Sequence, residues 1–158
     1  MKYKIINYIK LFCLSNIMMT TKKTDLHTIL YISTMRIDYS EESMNKLLEN
    51  FTNNNRKNGI SGLMLYHERN IIQCIEGTKE DLYKLYNNIK NDKRHFNLIK
   101  LMDEQITRRN FMDWDLAFKE ISYSEFQKFS LMKLTSDNNN KKILIFFKQF
   151  LDSFHSFY

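Results

Sequence analysis

Glycine is confined to one short stretch of this chain, and proline is absent altogether. The segment "NNNRKNGISGLMLYHERNIIQCIEG", Asn53 to Gly77, holds all three glycines of the 158 residues. Glycine relieves backbone crowding at turns and where two segments approach closely. A chain that needs such relief in one place concentrates its tightest geometry there, beside an asparagine cluster and a glutamine set among isoleucines. The absence of proline, with abundant Lys, Asn and Ile, reads as AT-rich coding bias and carries no functional weight.

Periodicity around this stretch defines the elements. "LHTILYIST", Leu26–Thr34, is an apolar, β-branched run bounded by polar residues, a strand signal. "DYSEESMNKLLENFTNNN" follows, with Ser40 at a helix start and Met44, Leu47, Leu48 and Phe51 at helical spacing. The asparagine run is expected to end that helix, because Asn tolerates left-handed backbone. "ISGLMLYH" and "NIIQCIEG" read as strands joined by a hairpin turn at "HERN". "TKEDLYKLYNNIKND" is a second helix, capped by Thr78, with a stripe of Leu82, Leu85, Tyr86 and Ile89. "NLIKLMDEQIT" and "DWDLAFKEI" are further strands.

The order is βαββαββ, which implies an α+β, ferredoxin-like sheet with an added strand and two helices on one face. Two more amphipathic segments follow, "SYSEFQKFSLMKL" and "KKILIFFKQFLDSFHSFY". In the second, Ile143, Phe147, Phe150, Phe154 and Phe157 form one apolar stripe, expected to cover the other sheet face or to make an oligomer interface. Three regions result: a leader over 1–25, a main domain over 26–120 and a two-helix extension over 121–158.

The net charge of +6 suggests nucleic acid, but its distribution does not. Residues 1–26 carry +4, residues 27–119 carry +1 and residues 120–158 carry +1. The basicity belongs to the leader, and the body is nearly neutral. Lys10 splits the apolar run of "MKYKIINYIKLFCLSNIMMTTKK", and no small-residue cleavage site follows. The leader reads as a disordered extension or an over-long start rather than an export signal. Cys13 and Cys74 make no disulfide framework, and Cys74 reads as a small core residue in a reducing, cytoplasmic setting. No phosphate-binding loop, dinucleotide fingerprint, nucleophile elbow or zinc-protease motif is present.

The informative polar residues are neutral. Tyr31 lies mid-strand on the face of Ile29 and Ser33, and Gln73 on the face of Ile71 and Ile75. A buried glutamine must satisfy both a carbonyl and an amide, and a buried tyrosine hydroxyl also needs a partner. From pattern alone, a Gln–Tyr bond inside an ordinary core and an exposed glutamine both remain open.

Taken together and in order, "LYIS", "NNNRKNGISGLMLY", "IIQCIEG", "NDKRH" and "FMDWDLAF" resemble the BLUF domain, a blue-light sensor using flavin. The resemblance covers roughly Leu26 to Lys119, and the terminal segments look like those of short stand-alone members. It implies a flavin, FAD or FMN, held between the two helices. It implies that Tyr31 is the photoactive tyrosine and that Gln73 links it to flavin N5 and O4. Asn55, with Asn54 beside it, matches the amide on the flavin's pyrimidine edge. Leu47 and Ile89 match the residues that sandwich the ring. Asp92, Arg94 and His95 match a polar segment near the ribityl-phosphate end. Gly59 and Gly62 are expected beside the ring, and Gly77 at the exit of the glutamine strand. Trp114 and Leu116 match the output strand, where Leu116 replaces a methionine common in relatives.

A photoreceptor of this kind turns over no substrate and signals by contact, to an effector protein or through a homo-oligomer. No nucleic acid or membrane partner is expected. The competing readings are a ferredoxin-like nucleic-acid module, a small hydrolytic or acyl-transfer enzyme, and a flavoprotein without a photocycle.

Overall fold

The computed structural model describes residues 25–112, 115–134 and Phe147. The elements are β1 (Leu26–Met35), α1 (Glu41–Lys57), β2 (Ser61–His67), β3 (Asn70–Thr78), α2 (Lys79–Asn91), β4 (His95–Gln105), β5 (Ala117–Glu120) and α3 (Tyr123–Leu134). The sheet order is β4-β1-β3-β2-β5. The first four strands pair antiparallel, and β5 joins β2 in parallel. This is the expected α+β, ferredoxin-like arrangement with one added edge strand.

Local chemistry sets the element ends. The Ser40 hydroxyl caps α1 by accepting from the Ser43 N–H at 3.3 Å, and Thr78 caps α2 through the Asp81 N–H at 3.3 Å. Glu41, Glu42, Glu80 and Asp81 fill the first turns, where the helix dipole favours acids. The hairpin between β2 and β3 turns on Glu68 and Arg69, both at positive φ (42° and 70°), as a two-residue turn of this hand requires.

Three details depart from expectation. Helix α1 runs through Asn53, Asn54 and Asn55 and stops only at Asn58, followed by Gly59 at φ +60°. The asparagines therefore stand on helix, and glycine supplies the left-handed residue at lower steric cost. Gly62 is close to the neighbouring strand, where a Cβ would sit 2.4 Å from the Cys74 carbonyl. Gly77 lies inside β3, not at its exit. The β5 ladder begins at Ala117, so Leu116 precedes that strand, and Trp114 lies outside the described residues.

Strand alternation splits the core in two. On the α1/α2 face, Ile29, Tyr31, Ile75 and Leu82 form one cluster, and Met35, Met64 and Ile71 another, packed by Met44, Leu48 and Phe51 of α1. On the opposite face, Leu30, Leu63, Leu65, Ile72, Cys74 and Met102 meet Phe129 of α3 and Phe147. Helix α3 thus covers the second face, as expected. The rest of the Ile143–Phe157 stripe, like residues 1–24, lies outside the described residues. Burial pushes the Cys74 thiol up to about 12, which makes it an unreactive core thiol.

One buried charge stitches the sheet to the β4–β5 connection. Glu76 is fully buried (0% exposed) on the second face. Its carboxylate accepts from the Asn110 N–H at 2.7 Å, the Asn110 side-chain amide at 2.7 Å and the Phe111 N–H at 3.1 Å. Arg109 donates to the Glu76 carbonyl at 2.8 Å, to Ser61 Oγ at 2.9 Å and to the Gly59 carbonyl at 2.6 Å. Burial pushes the Glu76 carboxyl up, and the three hydrogen bonds counter that push only in part.

Candidate functional site

Tyr31 and Gln73 are direct cross-strand partners of β1 and β3. Such pairs hold their Cβ atoms close enough for long side chains to meet. The Tyr31 hydroxyl donates to Gln73 Oε1, with both residues buried (1% and 5% exposed). Burial pushes the Tyr31 phenol far above its ordinary range, and Tyr86 and Asp92 add to this. Tyr31 is therefore a neutral phenol and a committed donor. The Gln73 amide nitrogen makes no hydrogen bond among the described residues.

The pair lies against a cleft of about 410 Å³ between α1 and α2. Phe51, Asn54, Asn55 and Asn58 line it from the α1 side. Lys84, Leu85, Asn88 and Ile89 line it from α2, and Asp92, Arg94 and His95 from the segment that follows. Ile60 and Met64 complete the sheet side. The size is that of a small-molecule site, and the mix of apolar walls with convergent polar groups is typical of one.

The polar residues are tied down differently. Asn55 is buried (4% exposed), and one of its amide hydrogens goes to the Asp115 carbonyl at 2.8 Å. Asp115 is held in turn by Arg56 at 2.7 Å. Asp92 grips Arg94 through contacts of 2.5 to 3.0 Å. The Arg94 hydrogen bond holds the Asp92 carboxyl below its usual range. The Arg94 guanidinium lies 5.5 Å above the Phe51 ring, linking the two cleft walls. His95 Nδ1 stands 3.3 Å from Ser33 Oγ, two residues along β1 from Tyr31. Burial pushes the His95 imidazole down, and Asp92 offsets this in part.

The expected site residues Tyr31, Gln73, Asn54, Asn55, Ile89, Arg94 and His95 all line this one cleft. Leu47 does not. It is half-buried on α1, and Phe51, one turn later, holds the wall position. Leu116 is half-buried and packs with Phe118 and Met64 on the cleft side of the sheet. Sequence reading missed Phe51, Lys84 and Asn88. The positions 81, 84, 88 and 92 form a polar stripe beside the apolar one on α2, a legible signal that the apolar stripe overshadowed.

The fold and cleft define a small sensor-like α+β domain with a buried tyrosine–glutamine pair at a ligand site. The family model described as "Sensors of blue-light using FAD" matches residues 26–117. The chain is 30% identical over 127 residues to the photoactivated adenylate cyclase subunit beta of Euglena gracilis, which covers 72% of this chain and 15% of that protein. It is 27% identical over 86 residues to the blue light- and temperature-regulated antirepressor BluF of Escherichia coli K12, covering 54% of this chain and 21% of that one. Among solved structures, the BLUF protein BlrB superposes with a TM-score of 0.58 at 26% identity, over 62% of this chain and 74% of that one. The ground state of BlsA superposes with a TM-score of 0.64 at 23% identity, over 75% and 85% of the two chains, a likeness of fold. The chain belongs to the BLUF family. The matched residues 26–117 are a blue-light-sensing domain that uses a flavin, and the chain spans about a seventh of the cyclase subunit's length. No helix among the described residues is long and apolar enough to cross a membrane.

Proposed function

We propose that FAD lies between α1 and α2, and that Tyr31 and Gln73 convert its excitation into a new hydrogen-bond pattern. The observation that carries this reading is the Tyr31–Gln73 bond on the cleft wall, with the Gln73 amide nitrogen left without a protein partner among the described residues. That nitrogen suits a ligand acceptor such as a flavin ring nitrogen or carbonyl. The family's description supports FAD over FMN. Asn55 keeps one amide hydrogen and its carbonyl for the pyrimidine edge, with Asn54 beside it. Ile89 is read as the apolar contact to one ring face and Leu47 to the other, with Phe51 on the α1 wall of the cleft. Arg94, steered by Asp92, and neutral His95 line the polar end.

Bound flavin supplies blue-light absorption and the oxidising power of its excited state. Tyr31 then gives up an electron. An oxidised phenol is a strong acid, and its proton leaves along the existing bond to Gln73. When electron and proton return, the Gln73 amide stays reoriented and presents a changed hydrogen bond to the ligand carbonyl, which accounts for a red-shifted spectrum. Exchanging one such bond is worth about 1 kcal/mol, and a coupling of ~1–3 kcal/mol suffices to bias a partner equilibrium. Met64 is the cross-strand neighbour of Gln73, and Phe118 is the neighbour of Met64. The signal is therefore read as passing from Gln73 through Met64 to Leu116, Phe118 and Trp114. Residues 26–120 are the sensor and residues 121–158 the output extension. The receiver is a cytoplasmic effector protein or a second copy of this chain.

The test is the absorption spectrum of the purified protein in darkness and under blue light. A flavin band that shifts red and recovers in the dark is the expected result, with Tyr31→Phe binding flavin but showing no shift. A colourless protein after reconstitution, or a normal shift in Tyr31→Phe, overturns the reading.

A further inference from the structure

Tyr31 is not an isolated tyrosine. The Tyr86 ring of α2 stands edge-on to it, with centroids 5.8 Å apart and planes at 65°. Both rings belong to the apolar cluster beneath α2, together with Tyr83. Lys100 of β4 joins the two helix tyrosines, its ammonium 5.4 Å from the Tyr86 ring and 5.5 Å from the Tyr83 ring. The Tyr83 hydroxyl donates to Asp103 Oδ2 at 2.7 Å, and Lys100 binds the same carboxylate oxygen. The row of rings leads from the fully buried Tyr31 to the half-buried Tyr83.

We propose that Tyr86 and Tyr83, with Asp103 as proton acceptor, form a second electron-donor branch behind Tyr31 that carries oxidation from the buried pair toward the surface. This rests on the flavin reading above, because the excited flavin is the oxidant. Removing an electron from a phenol is easy only when its proton has somewhere to go. Tyr83 has that acceptor built in, through a charge-assisted bond of good length. A cation beside an aromatic ring resists its oxidation. Lys100 is such a cation, and its pairing with Asp103 offsets that resistance. Burial pushes the Asp103 carboxyl up, but its bonds to Lys100 and Tyr83 outweigh this and hold it low, in the ionised form that accepts a proton.

The step balances. Tyr31 passes one electron to the excited flavin, and its proton leaves through Gln73. Tyr83 refills Tyr31 across the intervening Tyr86 ring, which bridges the two without losing an electron or a proton of its own. Tyr31 takes its proton back by way of Gln73, and the Tyr83 proton moves to Asp103. The net change is one electron from Tyr83 to the flavin and one proton from Tyr83 to Asp103. No O–H bond other than that of Tyr83 is broken at the end. The branch competes with the productive return of the electron to Tyr31, so it sets the fraction of excitations that end in bleaching instead of the reversible shift.

The test uses the flavin-loaded full chain, illuminated with blue light in the presence of a nitroso spin trap and digested for residue-level mass spectrometry. The absorption spectrum is recorded on the same sample. Trap adduct on Tyr83 is expected in the unmodified protein and lost in Tyr86→Leu, which removes the bridging ring. It is also expected to be lost in Asp103→Asn, which keeps a hydrogen-bond acceptor but cannot take the proton. A reversible red shift without a Tyr83 adduct overturns the branch and leaves the photoreceptor reading standing. So does an adduct that persists unchanged in both variants, since that marks ordinary surface oxidation. A sample with no flavin band overturns the photoreceptor reading, and the branch falls with it.

Discussion

Gln73 and Glu76 stand three residues apart on β3 and face opposite sides of one sheet. Both are buried and polar. Their surroundings are not alike. Glu76 faces three donors from Asn110 and Phe111 and sits against a close-packed face closed by Phe129 and Phe147. Gln73 has one protein partner, Tyr31, and borders a cleft. A buried group with its bonds filled holds structure in place, because moving it costs every one of those bonds. A buried group with a bond to spare can exchange partners at small cost. The two faces of the sheet divide labour in this way: one holds and the other switches.

The largest effect is expected from breaking the holding side. Glu76→Ala strands the Asn110 and Phe111 donors and should cost roughly 3 kcal/mol of unfolding free energy. Urea denaturation reads this directly. A cost below about 1 kcal/mol would mean that water satisfies those donors as well as the carboxylate does. Gly62→Ala comes next. Its Cβ meets the Cys74 carbonyl at 2.4 Å, and forcing β2 from β3 at that point should cost about 2 kcal/mol by the same assay. Because Gly62 lies beside the strand that carries Gln73, the variant should also disturb the spectrum.

Breaking the switching side should leave the fold nearly intact. Gln73→Leu removes one hydrogen bond and should cost about 1 kcal/mol, yet abolish the light-induced shift entirely. If Gln73→Leu destabilises as much as Glu76→Ala, the two faces are not different in kind. The smallest effect is acid-linked. Burial depresses the His95 imidazole, so the unfolded chain binds that proton more readily than the native protein. Stability from this group is full above the ordinary histidine value of 6.5 and is lost as pH falls below it toward the lower folded value. Thermal melts across that window should show a fall that His95→Gln removes.

Much of the switching side was legible in the sequence. The period-2 alternation put Tyr31 on the face of Ile29 and Gln73 on the face of Ile71 and Ile75, and the motif set, not the pattern, gave them a chemistry. Helix caps at Ser40 and Thr78 and the βαββαββ order were equally local. The errors were errors of reach. The asparagine run looked like a helix end because Asn favours caps, but Asn58 and Gly59 together end α1 at less cost. Phe51 was likewise hidden, because it shares the apolar stripe of α1 with its neighbours, and only the packing of α1 on the sheet shows it on the cleft wall. Glu76 carries no local signal of its role, since its partners lie 34 and 35 residues away.

What the sequence determined by itself is what short-range chemistry encodes: where strands and helices begin, which residues alternate inward, and which family pattern they match. The tertiary structure decided which inward residues meet. Tyr31 and Gln73 are 42 positions apart, and they touch because β1 and β3 pair in one register rather than its neighbour. A slip of one residue would send Gln73 to the packed face and Glu76 to the cleft. That register is chosen by the whole sheet and its two cores, and no local window of residues contains it.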